Sequence, residues 1–355
     1  MIRIKFFMLL FLVVTGSVFA QTNIDTAAYE NVKKNLDLNA ENGMVIIGEA
    51  HNVKNTFLTE YFIIKDLTGK GYRNIFIEGG RSEAAIYNMY FSSGDTSILK
   101  YTRAVSENKE FRQFIEMLYQ LNKETNTGIT FHGFDFERAT CVNFLFKKWF
   151  ANVITKDAGM NKNIETLFSI NDNGDRTYKR INENSAEIKN AFTYIKSNFD
   201  KYEQQYKDIL KENYSTFHSI IFNPSFFKTT GDKQRDRNMA DAMLSYEREN
   251  DTALNRSIII TGTFHIIDNK ERFIPLFLKE KNYEYKTTLF VSVYKNCTVI
   301  DEDRMFKYNS EFILLRLLKE QPLQPVIKFY ITSSELTPVA PSTINATVLI
   351  GFYDQ

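Results

Sequence analysis

Three short apolar runs constrain this chain more than any other feature: MVIIG at residues 44–48, NIFIE at 74–78 and SIIIT at 257–261. None alternates apolar with polar positions, as a strand with one wet face would. Continuous β-branched runs bounded by turn signals belong in a sheet covered on both sides, which is the habitat of parallel strands. ITFHGF at 129–134 is a weaker fourth run of the same kind. Helical patterns at 56–67, 82–91 and 111–121 fall between the strands. Strand and helix in this rhythm predict an α/β fold: a mostly parallel sheet flanked by helices.

Residues 151–231 differ, being rich in Asn and Lys. Their later part repeats apolar residues at three- and four-residue steps: Tyr202, Tyr206, Ile209, Leu210, Phe217, Ile220 and Ile221. This periodicity predicts a helical insertion between the third and fourth core strands. A further helix is expected at 232–246, leading back to the sheet, and another at 271–281. Strand-like runs follow at 287–294, 326–331 and 346–352, with an apolar helical segment at 311–318.

The first 20 residues read as a signal peptide, with Arg3 and Lys5 ahead of a short apolar core and a small-residue site ending at Ala20. The expectation is an exported protein, periplasmic or secreted, in which residues 21–355 form a single α/β domain. No later stretch is apolar for long enough to predict a transmembrane helix. The whole chain has 44 Lys+Arg against 43 Asp+Glu. That balance argues against a nucleic-acid partner or a polybasic membrane anchor. Only Cys141 and Cys297 are present, so the chain is not a disulfide scaffold, though the two could pair.

Chemistry-bearing residues gather where the core strands end. The first run leads into Glu49 and His51, the second into Glu78, the third into Asp135 and Glu137, and the fourth into His265. Open parallel sheets bind ligands at the carboxyl ends of their strands, so adjacent strands would bring these groups to one rim. A single strand-end acid is more often a cap for the next helix. Repetition over four strands favours a site. His132 lies inside the third strand and reads as a core or supporting residue, and His218 as a partly buried helix residue.

An imidazole oriented by carboxylates can take a proton from water, and a second one can steady an oxyanion or leaving group. The same set of His51, His265, Glu49 and Glu78 could instead ligate a divalent metal. No nucleophile elbow, zincin helix, dinucleotide fingerprint or phosphate loop is present. Water activation without a cofactor is therefore the leading expectation.

Four segments resemble the erythromycin esterase/ChaN/TIKI-like superfamily: IIGEAH at 46–51, IFIEGGRSEAAIYNMYF at 75–91, RDRNMADAM at 235–243 and IIITGTFHI at 258–266. GFDFE at 133–137 has a counterpart in the esterase branch. The resemblance assigns Glu49 and His51 to the first acid–His pair, Glu78 to the second acid and His265 to the late His. Arg235 and Asp236 begin a helix that braces the rim, as a structural ion pair or a substrate contact. The esterase branch implies a His acting as general base on an ester or related acyl bond of a small molecule. The ChaN branch implies haem or metal binding for uptake, and the TIKI branch a metal-dependent peptidase. The one-residue gap between Glu49 and His51 is nearer the haem-uptake spacing, while the second and third motifs are nearer the esterases.

Overall fold

The computed structural model describes residues 43–49, 56–102, 109–150, 158–168, 186–227, 231–250, 254, 256–267, 272–281, 287–295, 297–301, 304–308, 327–330 and 346–354. The signal peptide expected at 1–20, His51 and the helical segment expected at 311–318 lie outside the described residues.

Seven strands form one sheet. They are β1 (Met44–Glu49), β2 (Asn74–Ile77), β3 (Thr130–Gly133), β4 (Ser257–Gly262), β5 (Thr287–Lys295), β8 (Ile327–Tyr330) and β9 (Ala346–Asp354), in the order β3-β2-β4-β1-β5-β9-β8. Every pairing in it is parallel. Between β5 and β8 in the chain, β6 (Cys297–Asp301) and β7 (Arg304–Tyr308) form a separate antiparallel hairpin that the apolar pattern did not announce.

Alternate residues of the core strands feed two different hydrophobic clusters. Val45, Ile47, Ile75, Ile77, Ile258 and Ile260 face one. Met44, Ile46, Phe76 and Ile259 face the other. This is why the runs are unbroken: each strand is sandwiched, and both of its faces need apolar side chains.

Helices α1 (Thr56–Gly69), α2 (Arg81–Ser93), α3 (Lys109–Thr125) and α4 (Ala139–Phe150) supply the first cluster. So do α5 (Ala158–Phe168), α6 (Ala186–Ser197), α7 (Phe199–Leu210) and α8 (Tyr214–Ile221), which occupy the region expected to be a helical insertion. Phe192, Phe199, Tyr206 and Phe217 belong to the same buried cluster as the sheet residues, so these helices are packed continuously with it. The apolar repeat from Tyr202 to Ile221 is two helices rather than one long helix. Lys211 adopts a positive φ of 49°, and a short 3-10 turn at Lys211–Asn213 breaks the run.

The second cluster is covered by α9 (Asp232–Asn250), α10 (Phe264–Ile267) and α11 (Phe273–Glu280). On α9, Asp236, Met239, Ala240 and Met243 are all buried, spaced as one helical stripe. One member of that stripe is an acid, and it matters below.

Candidate active site at the strand ends

Strand order decides what meets at the rim. Because β4 inserts between β2 and β1, the residues that follow β2 and β4 are neighbours although nearly two hundred positions separate them. Glu78 comes directly after β2, and its N–H still bonds to the Ile260 carbonyl of β4 at 3.2 Å. Its carboxylate then leans over the end of β4. Oε2 accepts from the Gly262 N–H at 2.6 Å and from the Thr261 hydroxyl at 3.0 Å. Across the other side of β4, the Glu49 carbonyl accepts from the Thr263 N–H at 2.8 Å and its hydroxyl at 3.1 Å. Glu49 is itself buried at the end of β1.

His265 sits on α10, just beyond this junction, and is buried. Nδ1 bonds to Oδ1 of Asp236, and Nε2 lies 3.4 Å from Oε1 of Glu78. Arg272 donates to the other oxygen of Asp236 at 2.9 Å. Burial alone would lower the pKa of the imidazole. The charge of Glu78 and the bonded Asp236 outweigh it and push His265 up to about 9. His265 is therefore an imidazolium at neutral pH, and it can give a proton or steady negative charge but cannot accept a proton.

A second cation locks the acids. Arg235, one residue before Asp236, forks between Asp135 and Glu78: Nη2 is 2.6 Å from each carboxylate, and Nε is 3.2 Å from Asp135. Its guanidinium also lies over the Phe136 ring, 5.4 Å from the centroid. Burial works against this charge, and the two carboxylates more than restore it.

The rim thus brings together Glu49, Glu78, Asp135, Arg235, Asp236 and His265. His51 falls outside the described residues. Glu137 goes elsewhere. Its carboxylate is fully buried and caps α2, accepting from the N–H groups of Arg81 at 2.9 Å and Ser82 at 3.0 Å, the Ser82 hydroxyl, and Asn223 at 2.6 Å. An anion at a helix N-terminus satisfies donors that have no intrahelical partner. Burial nevertheless raises its pKa. The loop carrying it presses against the turn after β2 so closely that a Cβ on Gly133 would stand 2.2 Å from the Gly80 carbonyl oxygen.

Arg272 is the partner that motif reading missed. Asp236, expected to brace the rim, does so through His265, and its place on the otherwise apolar stripe of α9 signals the need for a cation such as Arg272, because a buried carboxylate needs a cation or a donor. His132 and His218 take no part in the rim. His132 bonds to Asn74 and Tyr246, and His218 stacks on Phe222. Cys141 is a free buried thiol bonded to the Tyr101 carbonyl at 3.1 Å.

The donor set bears on metals. Among the described residues no group of three or more His, Cys, Asp or Glu side chains is arranged to hold an ion. Both oxygens of Glu78 are bonded to protein donors, Asp135 is saturated by Arg235, and both nitrogens of His265 face carboxylates. The carboxylates of Glu78, Asp135 and Asp236 are thus engaged by arginines, an imidazolium and backbone donors, while His51, the other expected ligand, lies outside the described residues.

Solved structures share this architecture. An erythromycin esterase, EreC, in an open conformation superposes with a TM-score of 0.51 at 13% identity, covering 79% of each chain. This chain has the erythromycin esterase fold. A succinoglycan biosynthesis protein shares that fold with a TM-score of 0.55 at 12% identity, over 92% of this chain and 86% of its own. A Bacillus cereus protein shares it at 0.50 and 14% identity, over 94% of both. No protein-family model matches the sequence, and neither does any curated protein. Identities this low establish the esterase fold and nothing finer. Among the described residues no helix is long and apolar enough to cross a membrane.

Proposed function

We propose that this chain is an exported hydrolase that activates water at the strand-end rim and cleaves an ester or related acyl bond of a small molecule, with no metal or haem. The observation carrying this reading is His265, an imidazolium held between Glu78 and Asp236 at the carboxyl ends of β2 and β4. In the proposed reaction His51, oriented by Glu49, takes a proton from water as the oxygen attacks the acyl carbon. The positive charge of the His265 imidazolium steadies the negative charge that develops on the carbonyl oxygen or on the departing alkoxide. The C–O bond then breaks, and the proton that His51 took from water passes to the departing alkoxide, which leaves as the alcohol. Glu78 and Asp236 fix the ring, and Arg235 fixes Glu78.

Preorganised charge of this kind stabilises a transition state because it needs no rearrangement when the charge appears. The erythromycin esterase fold supports ester chemistry here, and the saturated carboxylates support a reaction without a cofactor. The short Glu49-to-His51 spacing is what a haem-holding alternative rests on, and one preparation separates the two. Chelator-treated protein should hydrolyse members of an ester panel, and His51→Ala should reduce the rate by about 100-fold or more. A Soret band that disappears in His51→Ala, from protein with no ester turnover, would replace the hydrolase by a haem carrier.

A further inference from the structure

A cavity lies on the opposite side of β3 from the rest of the sheet, and no rim residue lines it. It measures about 340 Å³, within the roughly 300–1,000 Å³ range of small-molecule sites. As an edge strand, β3 would leave backbone groups without a neighbour. Asn88 of α2 takes that place, donating to the Phe131 carbonyl at 2.9 Å and accepting from the Phe131 N–H at 2.8 Å. Helices α2, α8 and α9 then enclose a space beside the strand instead of a further strand.

The lining mixes polar and apolar side chains and carries no net charge. Arg81 is compensated: Nη1 donates to Glu249 and to the Ser219 carbonyl, both at 2.9 Å, and Nη2 donates to Ser245 at 2.6 Å. Burial and the nearby Arg81 lower the pKa of His132 to about 3, so the ring is neutral. Its Nε2 is taken up by Asn74 at 3.1 Å and the Tyr246 hydroxyl at 3.2 Å. The His132 side chain also lines the cavity. Hydroxyls of Ser215, Thr216, Ser219 and Tyr246 share the wall with it. The remaining surface is apolar, with Trp149, Phe131 and Met89. Neutral hydroxyls and an imidazole facing an aromatic wall suit a ligand with many hydroxyls, one apolar face and no charge.

We propose that this cavity is a second ligand site, for a neutral, hydroxyl-rich molecule the size of a single sugar ring. It stands independently of the hydrolase reading. Trp149 is the single tryptophan of the chain, so its emission reports on this cavity directly. Titration with glucose, mannose, galactose or N-acetylglucosamine in the millimolar range should give a saturable emission change with at least one of them. Ala85→Phe and Thr216→Phe, which fill the cavity from two different helices, should each weaken that response at least tenfold. Each variant is read only if its circular dichroism and melting match the parent, and two variants are made so that one can fail to fold. No response to any of the four sugars overturns the proposal. So does a response that survives in a folded filling variant, or one given by inorganic phosphate and by none of the sugars.

Discussion

Nδ1 of His265 is bonded to the carboxylate of Asp236, which stands 29 residues earlier in the second turn of α9. Asp236 is fully buried, and its second oxygen is held by Arg272 at 2.9 Å. Its bond to Nδ1 sets the charge and orientation of the imidazole, which makes Asp236 a positioning residue. Asp236→Asn keeps the shape and removes the charge. The His265 midpoint should then fall by about one pH unit or more. Ester turnover should drop about 100-fold, and its alkaline limb should move to lower pH. A variant with lower turnover but an unmoved pH profile would assign Asp236 to packing alone.

Two histidines set opposite limits on stability. His265 is raised to about 9 against an ordinary 6.5, so the stability it contributes is complete below pH 6.5 and is lost as pH rises through 9. His132 is lowered to about 3, so its contribution is present above pH 6.5 and is lost as pH falls from there toward 3. Urea midpoints measured across this span should form a dome. His265→Asn should flatten its alkaline side, and His132→Asn its acid side.

Arg235 bridges two buried carboxylates, and removing it would leave both without their cation. Breaking a buried pair from one side is far costlier than the net worth of the pair. Arg235→Ala should lower the unfolding free energy by about 3 kcal/mol in urea denaturation. Arg235→Lys, which keeps the charge and loses the fork, should fall between the two.

Glu137→Ala tests the cap on α2. It would strand the buried N–H groups of Arg81 and Ser82 and leave the Asn223 amide with the Asp135 carbonyl as its remaining acceptor. A loss of about 2 kcal/mol or more is expected from chemical denaturation. Glu137→Gln retains acceptors and should lose less. Equal losses in the two would mean that charge at the helix N-terminus, rather than hydrogen bonding, holds α2.

The sheet was legible in the sequence because its strands are sandwiched. Val45–Ile47, Ile75–Ile77 and Ile258–Ile260 have no solvent face, so nothing interrupts their apolar runs. Strand order was not legible. The insertion of β4 between β2 and β1 is a long-range choice made by packing, and no local pattern encodes it. The hairpin β6–β7 is two-stranded, five residues a side, and its mixed polar sequence offers no buried-strand signature. At the rim, residue type and strand-end position picked out Glu78, Asp135 and His265. They also drew in Glu137, since a strand-end acid looks the same whether it faces a ligand or caps a helix. The Asp236–His265 bond depends on the tilt of α9 over the sheet, which one-dimensional periodicity does not carry.

The proposed role of His265 turns on the charge of its ring, and heteronuclear NMR can follow it. The chain contains four histidines, and His265→Asn identifies the relevant signal by its disappearance. The wild-type His265 imidazole should remain protonated at pH 7 and titrate with a midpoint of about 9. A midpoint at or below the ordinary 6.5 would leave a neutral ring between Glu78 and Asp236, and would contradict the proposed role of His265.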